Sequence, residues 1–150
     1  MIKYKKILLK LSGEALSGDL KFGYSEVVMS EFVEQIIQIA NNGVQVGIVV
    51  GGGNIFRGLK GVQKGVDRVK GDYMGMLATV INGLALQSEI HNQGKSAKVL
   101  TSTFMEPYAL RYTPDRAVEF LEHGEIVIFA GGTGNPFFTT DSAAALRSIE

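Results

Sequence analysis

Apolar residues recur along this chain in two periods. Short β-branched or leucine-rich runs stand at Ile7–Leu11, Val44–Val50, Ala97–Leu100 and Glu125–Phe129. They are near-continuous, as expected of strands covered on both faces of a parallel sheet. Between them, apolar positions fall every three or four residues. Val28, Phe32, Ile36 and Ile39 make one such stripe within Ser25–Asn42, with Val33, Ile37 and Ala40 beside it. That spacing predicts a helix with Ser25 or Ser30 as its cap and Asn42-Gly43 as a left-handed stop. A longer helix is predicted from about Val66 to Asn92, where Tyr73, Leu77, Val80 and Leu84 form an apolar stripe. Shorter ones are predicted at Pro114–Glu122, capped by Thr113, and at Ser142–Ile149, capped by Thr139 or Asp141. Ala15–Gly23 reads as a short polar excursion, Gly58–Gly65 as a loop and Thr101–Tyr112 as irregular. Strand, helix and strand in alternation predict right-handed β-α-β crossovers.

Glycine collects where the strands end. Val44–Val50 runs straight into Gly51-Gly52-Gly53-Asn54, with Arg57 just beyond. The strand EIVIF runs into Gly131-Gly132-Thr133-Gly134-Asn135-Pro136. Glycine lets a ligand approach the main chain, and open α/β sheets hold ligands beyond the carboxyl ends of their strands. One such turn is ordinary punctuation. Two on one sheet, the second followed by a helix start with free N–H groups, point to a phosphate site. Lys10 lies inside the first strand beside Ser12-Gly13-Glu14, placed either to meet a phosphate or to reach water from an edge. Asp72 sits near the start of the long helix, where a carboxylate suits the dipole or could accept from ligand hydroxyls. Gly71, Gly75, Thr79 and Gly83 form a small-residue stripe on that helix, for close packing against the sheet or against a second copy. Of Phe137 and Phe138, one is expected in the core, and His91 and His123 read as structural or surface residues.

Composition narrows the class. Lysine plus arginine equals aspartate plus glutamate at 15 each, which argues against a nucleic-acid-binding protein. Hydrophobic residues at 45% suit a globular domain, and the lack of cysteine removes disulfides and thiolate chemistry. No stretch approaches the roughly 20 apolar residues of a membrane span, so the cytoplasm is the expected setting. Neither glycine turn is a known fingerprint. Leu59 stands where a P-loop needs lysine, and Phe56 and Phe137 stand where the dinucleotide motif needs its third glycine. The Ala-rich stretch at Ser142–Glu150 has no C-cap signal, from which more protein is expected downstream.

Four blocks carry a resemblance: KLSGE at Lys10–Glu14, GGGNIFRG at Gly51–Gly58, GDYMGMLAT at Gly71–Thr79 and GTGNPFFTTDSAA at Gly132–Ala144. Together they resemble the bacterial UMP kinases (uridylate kinases) of the amino-acid-kinase superfamily, over the whole chain. The first two blocks are shared across the superfamily; the last two look particular to UMP kinases. The resemblance implies a three-layer αβα sandwich with a mainly parallel sheet. It implies γ-phosphoryl transfer from ATP to UMP, giving UDP for pyrimidine nucleotide biosynthesis, with Mg²⁺ accompanying ATP. It also implies a homohexamer and no nucleic-acid or membrane partner.

Matched residue by residue, it places Lys10, Leu11, Ser12 and Gly13, with Gly53 and Arg57, at the ATP phosphates. Gly52 and Asp72 fall at UMP contacts. The UMP loop comprises Thr133, Gly134, Asn135, Pro136, Phe137, Phe138, Thr139 and Thr140. Asp141 falls near the reacting phosphates, and Lys10, Arg57 and Asp141 are the catalytic set. Ser17–Gly23 matches a segment that some members use for activation by GTP. Family members continue into a half that holds the adenine pocket. Residues 1–150 are therefore expected to be one domain, the N-terminal UMP-binding and oligomerisation part, without that half. Two alternatives stand beside this: a superfamily kinase acting on a carboxylate or carbamate, and a nucleotide-binding fragment without catalysis.

Overall fold

A computed structural model describes residues 2–57 and 65–150. Among them, five strands form one sheet: β1 (Lys6–Leu11), β2 (Gln45–Val50), β3 (Ala97–Thr101), β4 (Leu110–Arg111) and β5 (Ile126–Ala130). Their order is β1-β2-β5-β3-β4, and every pair is parallel. The central strands β2 and β5 are buried almost throughout, while β1 at the edge alternates between half-buried and exposed. The near-continuous apolar runs have this cause: both faces of the sheet are covered.

Two cores flank the sheet. On one face, Val46, Ile48, Ile126 and Ile128 pack with Met29, Val33 and Ile36 of α2 (Glu26–Asn41) and with Val80, Leu86 and Ile90 of α3 (Arg68–Asn92). On the other, Val49, Val127 and Phe129 meet Ala117 and Leu121 of α4 (Pro114–Glu122) and Ala143 of α5 (Thr140–Ile149). The period-two alternation of the strands sorts neighbouring side chains to opposite layers. The result is the expected αβα sandwich. Each fully buried Ile or Val contributes on the order of 1.5–3 kcal/mol of transfer free energy, so the central strands are its most firmly held part.

The caps follow the sequence closely. Ser25 accepts from the Val28 N–H, Thr113 from Arg116 and Thr139 from Ser142. Gly43 takes a positive φ of 83° past the end of α2. Four expectations need correction. Residues 13–17 form a helical turn, α1 (Gly13–Ser17), capped by Ser12, where a polar excursion was expected. Two residues of the irregular Thr101–Tyr112 stretch, Leu110 and Arg111, join the sheet as β4. Phe137 and Phe138 are both exposed, so neither belongs to the core. Tyr73 and Leu77 are also exposed, so only the second half of the predicted stripe, Val80 and Leu84, faces the core. Of the Gly58–Gly65 loop, residues 58–64 lie outside the described residues.

Candidate active site

The register of the sheet brings the glycine turns together. Leu11 pairs with Val50, and Val49 with Phe129, so β1, β2 and β5 end level with one another. Ser12-Gly13, Gly51–Gly53 and Gly131–Gly134 therefore leave the same edge side by side. The first two are in close contact. A methyl group on Gly51 would stand 3.0 Å from the Gly13 nitrogen, and one on Gly13 would stand 2.7 Å from the Gly53 nitrogen.

Two buried amides brace the first turn from behind. Asn82, fully buried on α3, donates to the Gly51 carbonyl at 2.8 Å and to Asn54 Oδ1 at 2.7 Å. Asn54 Nδ2 in turn donates to the Gly23 carbonyl at 2.8 Å and to Asn82 Oδ1 at 3.1 Å. Every polar atom of the pair has a partner, as burial requires. Thr79 braces the second turn, accepting from the Gly131 N–H at 2.7 Å, and Ser102 donates to the Gly131 carbonyl at 2.7 Å.

The small-residue stripe of α3 explains itself here. A Cβ on Gly52 would lie 2.7 Å from Ala78 Cβ and 2.9 Å from the Gly75 carbonyl oxygen, so the turn rests directly on the helix backbone. Gly83 faces Val99, Ile128 and Ala130 at 3.4–3.5 Å. The first glycine turn packs on the helix backbone at Gly75 and Thr79, and the sheet packs on Gly83, while the Cα side of Gly75 itself is open.

Above the contact opens a cleft of about 180 Å³. Gly52, Gly53 and Phe56 form one wall, and Gly71, Asp72 and Gly75 of α3 another. Thr133, Phe138, Thr139 and Thr140 close it from the second turn. Of the expected UMP-loop residues, Gly134, Asn135, Pro136 and Phe137 lie outside this lining, as do Lys10, Leu11, Ser12, Gly13, Arg57 and Asp141. These charged groups stand beside the cleft at the same end of the sheet. The start of α5 straddles the two regions: Thr139 and Thr140 line the cleft, while Asp141 reaches Lys10 Nζ at 3.0 Å.

Three cations near the site hold carboxylates: Lys10 with Asp141, Arg57 with Glu14, and Arg68 with Asp72. The Lys10 side chain is 39% exposed, so it is a partly exposed edge-strand cation beside Asp141, the second of the two placements that its sequence context allowed. The Glu14 carboxylate occupies the space above Gly53, where a Cβ would meet it at 2.4 Å. Asp72, with 14% of its side chain exposed, accepts from Arg68 Nε at 3.1 Å and from the Phe137 N–H at 2.8 Å. Asp67, rather than Asp72, caps α3. Arg68 and Asn82 were not singled out by sequence, and the bracing role of Thr79 and the pairing of Glu14 were not foreseen, since these roles rest on partners distant in the chain: Phe137 for Arg68, Asn54 and Gly51 for Asn82, Gly131 for Thr79 and Arg57 for Glu14.

A sequence profile of the Amino acid kinase family matches residues 5–150. The chain belongs to that family. Within it, the chain is similar over all 150 residues to the uridylate kinases of Parabacteroides distasonis, at 61% identity, and Porphyromonas gingivalis, at 53%. It spans 64% and 63% of their lengths. Its fold superposes on the UMP kinase of Bacillus anthracis with a TM-score of 0.93 at 41% identity, covering 97% of this chain and 60% of that one. For the UMP kinase of Ureaplasma parvum the TM-score is 0.91 at 34% identity, with 97% and 64% covered. Among the described residues, no helix of this family member is long and apolar enough to cross a membrane.

Proposed function

We propose that the chain acts in a kinase that moves the γ-phosphoryl of ATP to UMP, giving UDP and ADP for pyrimidine nucleotide biosynthesis. The observation that carries this reading is the side-by-side exit of three glycine turns from β1, β2 and β5, in a chain so similar to uridylate kinases. Such a reaction needs two phosphates aligned end to end and relief of charge on the moving group. An oxygen of the UMP phosphate attacks the γ-phosphorus, and the bond to the β,γ-bridging oxygen of ATP breaks. UMP needs no general base, because the second pKa of a phosphate monoester is about 6.

In this reading the cleft takes UMP. Gly52 offers main-chain contact, Asp72 accepts from the ribose hydroxyls, and residues 133–140 wrap the nucleotide. Lys10, Leu11, Ser12, Gly13, Gly53 and Arg57 face the ATP phosphates, with Arg57 exchanging Glu14 for phosphate. Lys10 neutralises charge in transfer and Asp141 aims it. Mg²⁺ enters as part of the ATP complex and supplies charge neutralisation there. The site's carboxylates are already paired with cations, and this donor set fits an ion that would be held mainly by phosphate and water, with Asp141 available to orient that water. The adenine pocket is expected in the part of the relatives' length that this chain does not span.

Assembly as a homohexamer belongs to the same reading. Tyr73, Met74, Leu77 and Ile81 are 41–51% exposed along one face of α3, an apolar stripe suited to self-association. GTP activation through Ser17–Gly23 has a physical route, since Gly23 exchanges hydrogen bonds with Asn54 of the first glycine turn. The cytoplasm, where ATP is supplied, is the setting that this chemistry needs. The test is UDP formation from ATP by the full-length protein against a panel of UMP, acidic amino acids and carbamate. Phosphorylation of a carboxylate or carbamate with UMP refused would overturn the reading, as would UMP binding without UDP.

A further inference from the structure

Phe137 is the one non-glycine residue with positive φ among those described, at 70°. A bulky residue there is strained and persists only when its surroundings hold it. Two contacts do so. Its N–H donates to Asp72 Oδ2 at 2.8 Å, across 65 residues of chain. Its ring lies under the Arg68 guanidinium, 5.4 Å from carbon to ring centre. Arg68 Nε is also 3.1 Å from each Asp72 oxygen, which fixes the rotamer of the carboxylate that holds the loop.

An exposed i,i+4 ion pair on a helix contributes little. This pair differs from that case in two respects. Asp72 is mostly buried, and its other acceptor contact is to the loop that closes the cleft. A point charge could neutralise Asp72. Planar contact with both the carboxylate and an aromatic ring calls for guanidinium.

We propose that Arg68 is a positioning residue for the acceptor nucleotide: it sets the Asp72 carboxylate and pins the Phe137 peptide, so that the loop of residues 132–139 closes the cleft in one conformation. This rests on the reading of the cleft as the UMP site. Arg68 acts through Asp72 and Phe137 and need not touch the substrate.

The test uses the full-length protein with Arg68→Ala and Arg68→Lys, the latter keeping the charge pair and the start of the helix. Steady-state kinetics give KM for UMP, KM for ATP and kcat, and hydrogen exchange is followed in the peptide carrying Phe137. For Arg68→Ala we expect UMP KM to rise about tenfold, as for loss of one charge-assisted contact, with ATP KM and kcat within about twofold. Exchange at Phe137 should quicken about tenfold in the free protein. Arg68→Lys should recover less than half of either effect. The proposal is overturned if either readout stays at the wild-type value, if ATP KM and kcat shift as far as UMP KM, or if lysine restores both fully. Wild-type protein that forms no UDP would refute the UMP reading instead, and the exchange arm would still decide whether Arg68 holds Phe137.

Discussion

Lys10 Nζ lies 3.0 Å from Asp141 Oδ1, although one residue stands on the first strand and the other at the start of the last helix described. The Asp141 side chain is 78% exposed, so the pair adds little to folding, at most about 1 kcal/mol. In the proposed reaction the pair aims an ammonium across the ends of β1, β2 and β5. Asp141→Asn should therefore leave the unfolding midpoint nearly unchanged while lowering kcat by about 10–100-fold, within the range for a misplaced transition-state contact. Paired unfolding and turnover measurements check this. Loss of stability with normal turnover would make the pair purely structural.

Gly52 and Gly75 face each other with different freedom. Alanine at 52 would press on the α3 backbone, and overpacking of this kind costs about 1–3 kcal/mol. A Cβ at Gly75 meets nothing within 4 Å, and exchanging an interior helical glycine for alanine gains up to about 1 kcal/mol. Chemical denaturation should rank Gly75→Ala above wild type and Gly52→Ala below it. Because Gly75 lines the cleft, its stabilised variant should bind UMP more weakly in a calorimetric titration.

Asn82 is the hidden support of the first glycine turn. Truncation to alanine strands Asn54 Oδ1 and removes a donor from the Gly51 carbonyl, both in the interior. The expected loss is about 1–3 kcal/mol, measured by denaturant unfolding. Amide exchange in the Gly51–Asn54 turn should quicken alongside it. An unchanged midpoint would mean that solvent satisfies these groups.

The sequence made the layers and the meeting of the glycine turns at one sheet end readable, for reasons visible in particular residues. Val44–Val50 and Glu125–Phe129 are near-continuous apolar runs because both faces of β2 and β5 are covered, and glycines mark where each strand stops. Ser25, Thr113 and Thr139 announced helix starts through local chemistry alone. Contacts between distant segments stayed hidden. Nothing local tells that Asn82 meets Asn54, or that Asp72 is shared between Arg68 and Phe137. Phe137 and Phe138 misled because aromatic residues usually indicate a core, whereas here they stand out on a loop over a cleft. The apolar neighbours of Lys10 left two placements open, and β1, as an edge strand, lets its side chain reach partly into solvent beside Asp141.

Glu89 ties α3 to its own last turn and, through Gln93, to Ser30 of α2. Hydrogen bonds from Gln93 and Ser30 hold its carboxyl below the ordinary value of 4.5. A carboxyl depressed in the folded state stabilises the protein above its unfolded pKa, and that contribution is lost as pH falls through the folded one. Wild type should therefore lose more stability than Glu89→Gln as pH drops below 4.5. Thermal unfolding of both at a series of acid pH values gives the comparison. Parallel curves would show that Glu89 is not coupled to folding.

The central claim is that the glycine turns and Lys10 form a cradle for two phosphates, with Asp72 reading the acceptor. Full turnover kinetics of the full-length protein with Lys10→Ala and Asp72→Ala test it most directly. Lys10→Ala should lower kcat by about 10²–10³-fold with UMP affinity little changed, the signature of a contact made mainly in the transition state. Asp72→Ala should chiefly weaken UMP binding. The reverse pattern, with Lys10 governing UMP affinity and Asp72 governing turnover, would contradict the account.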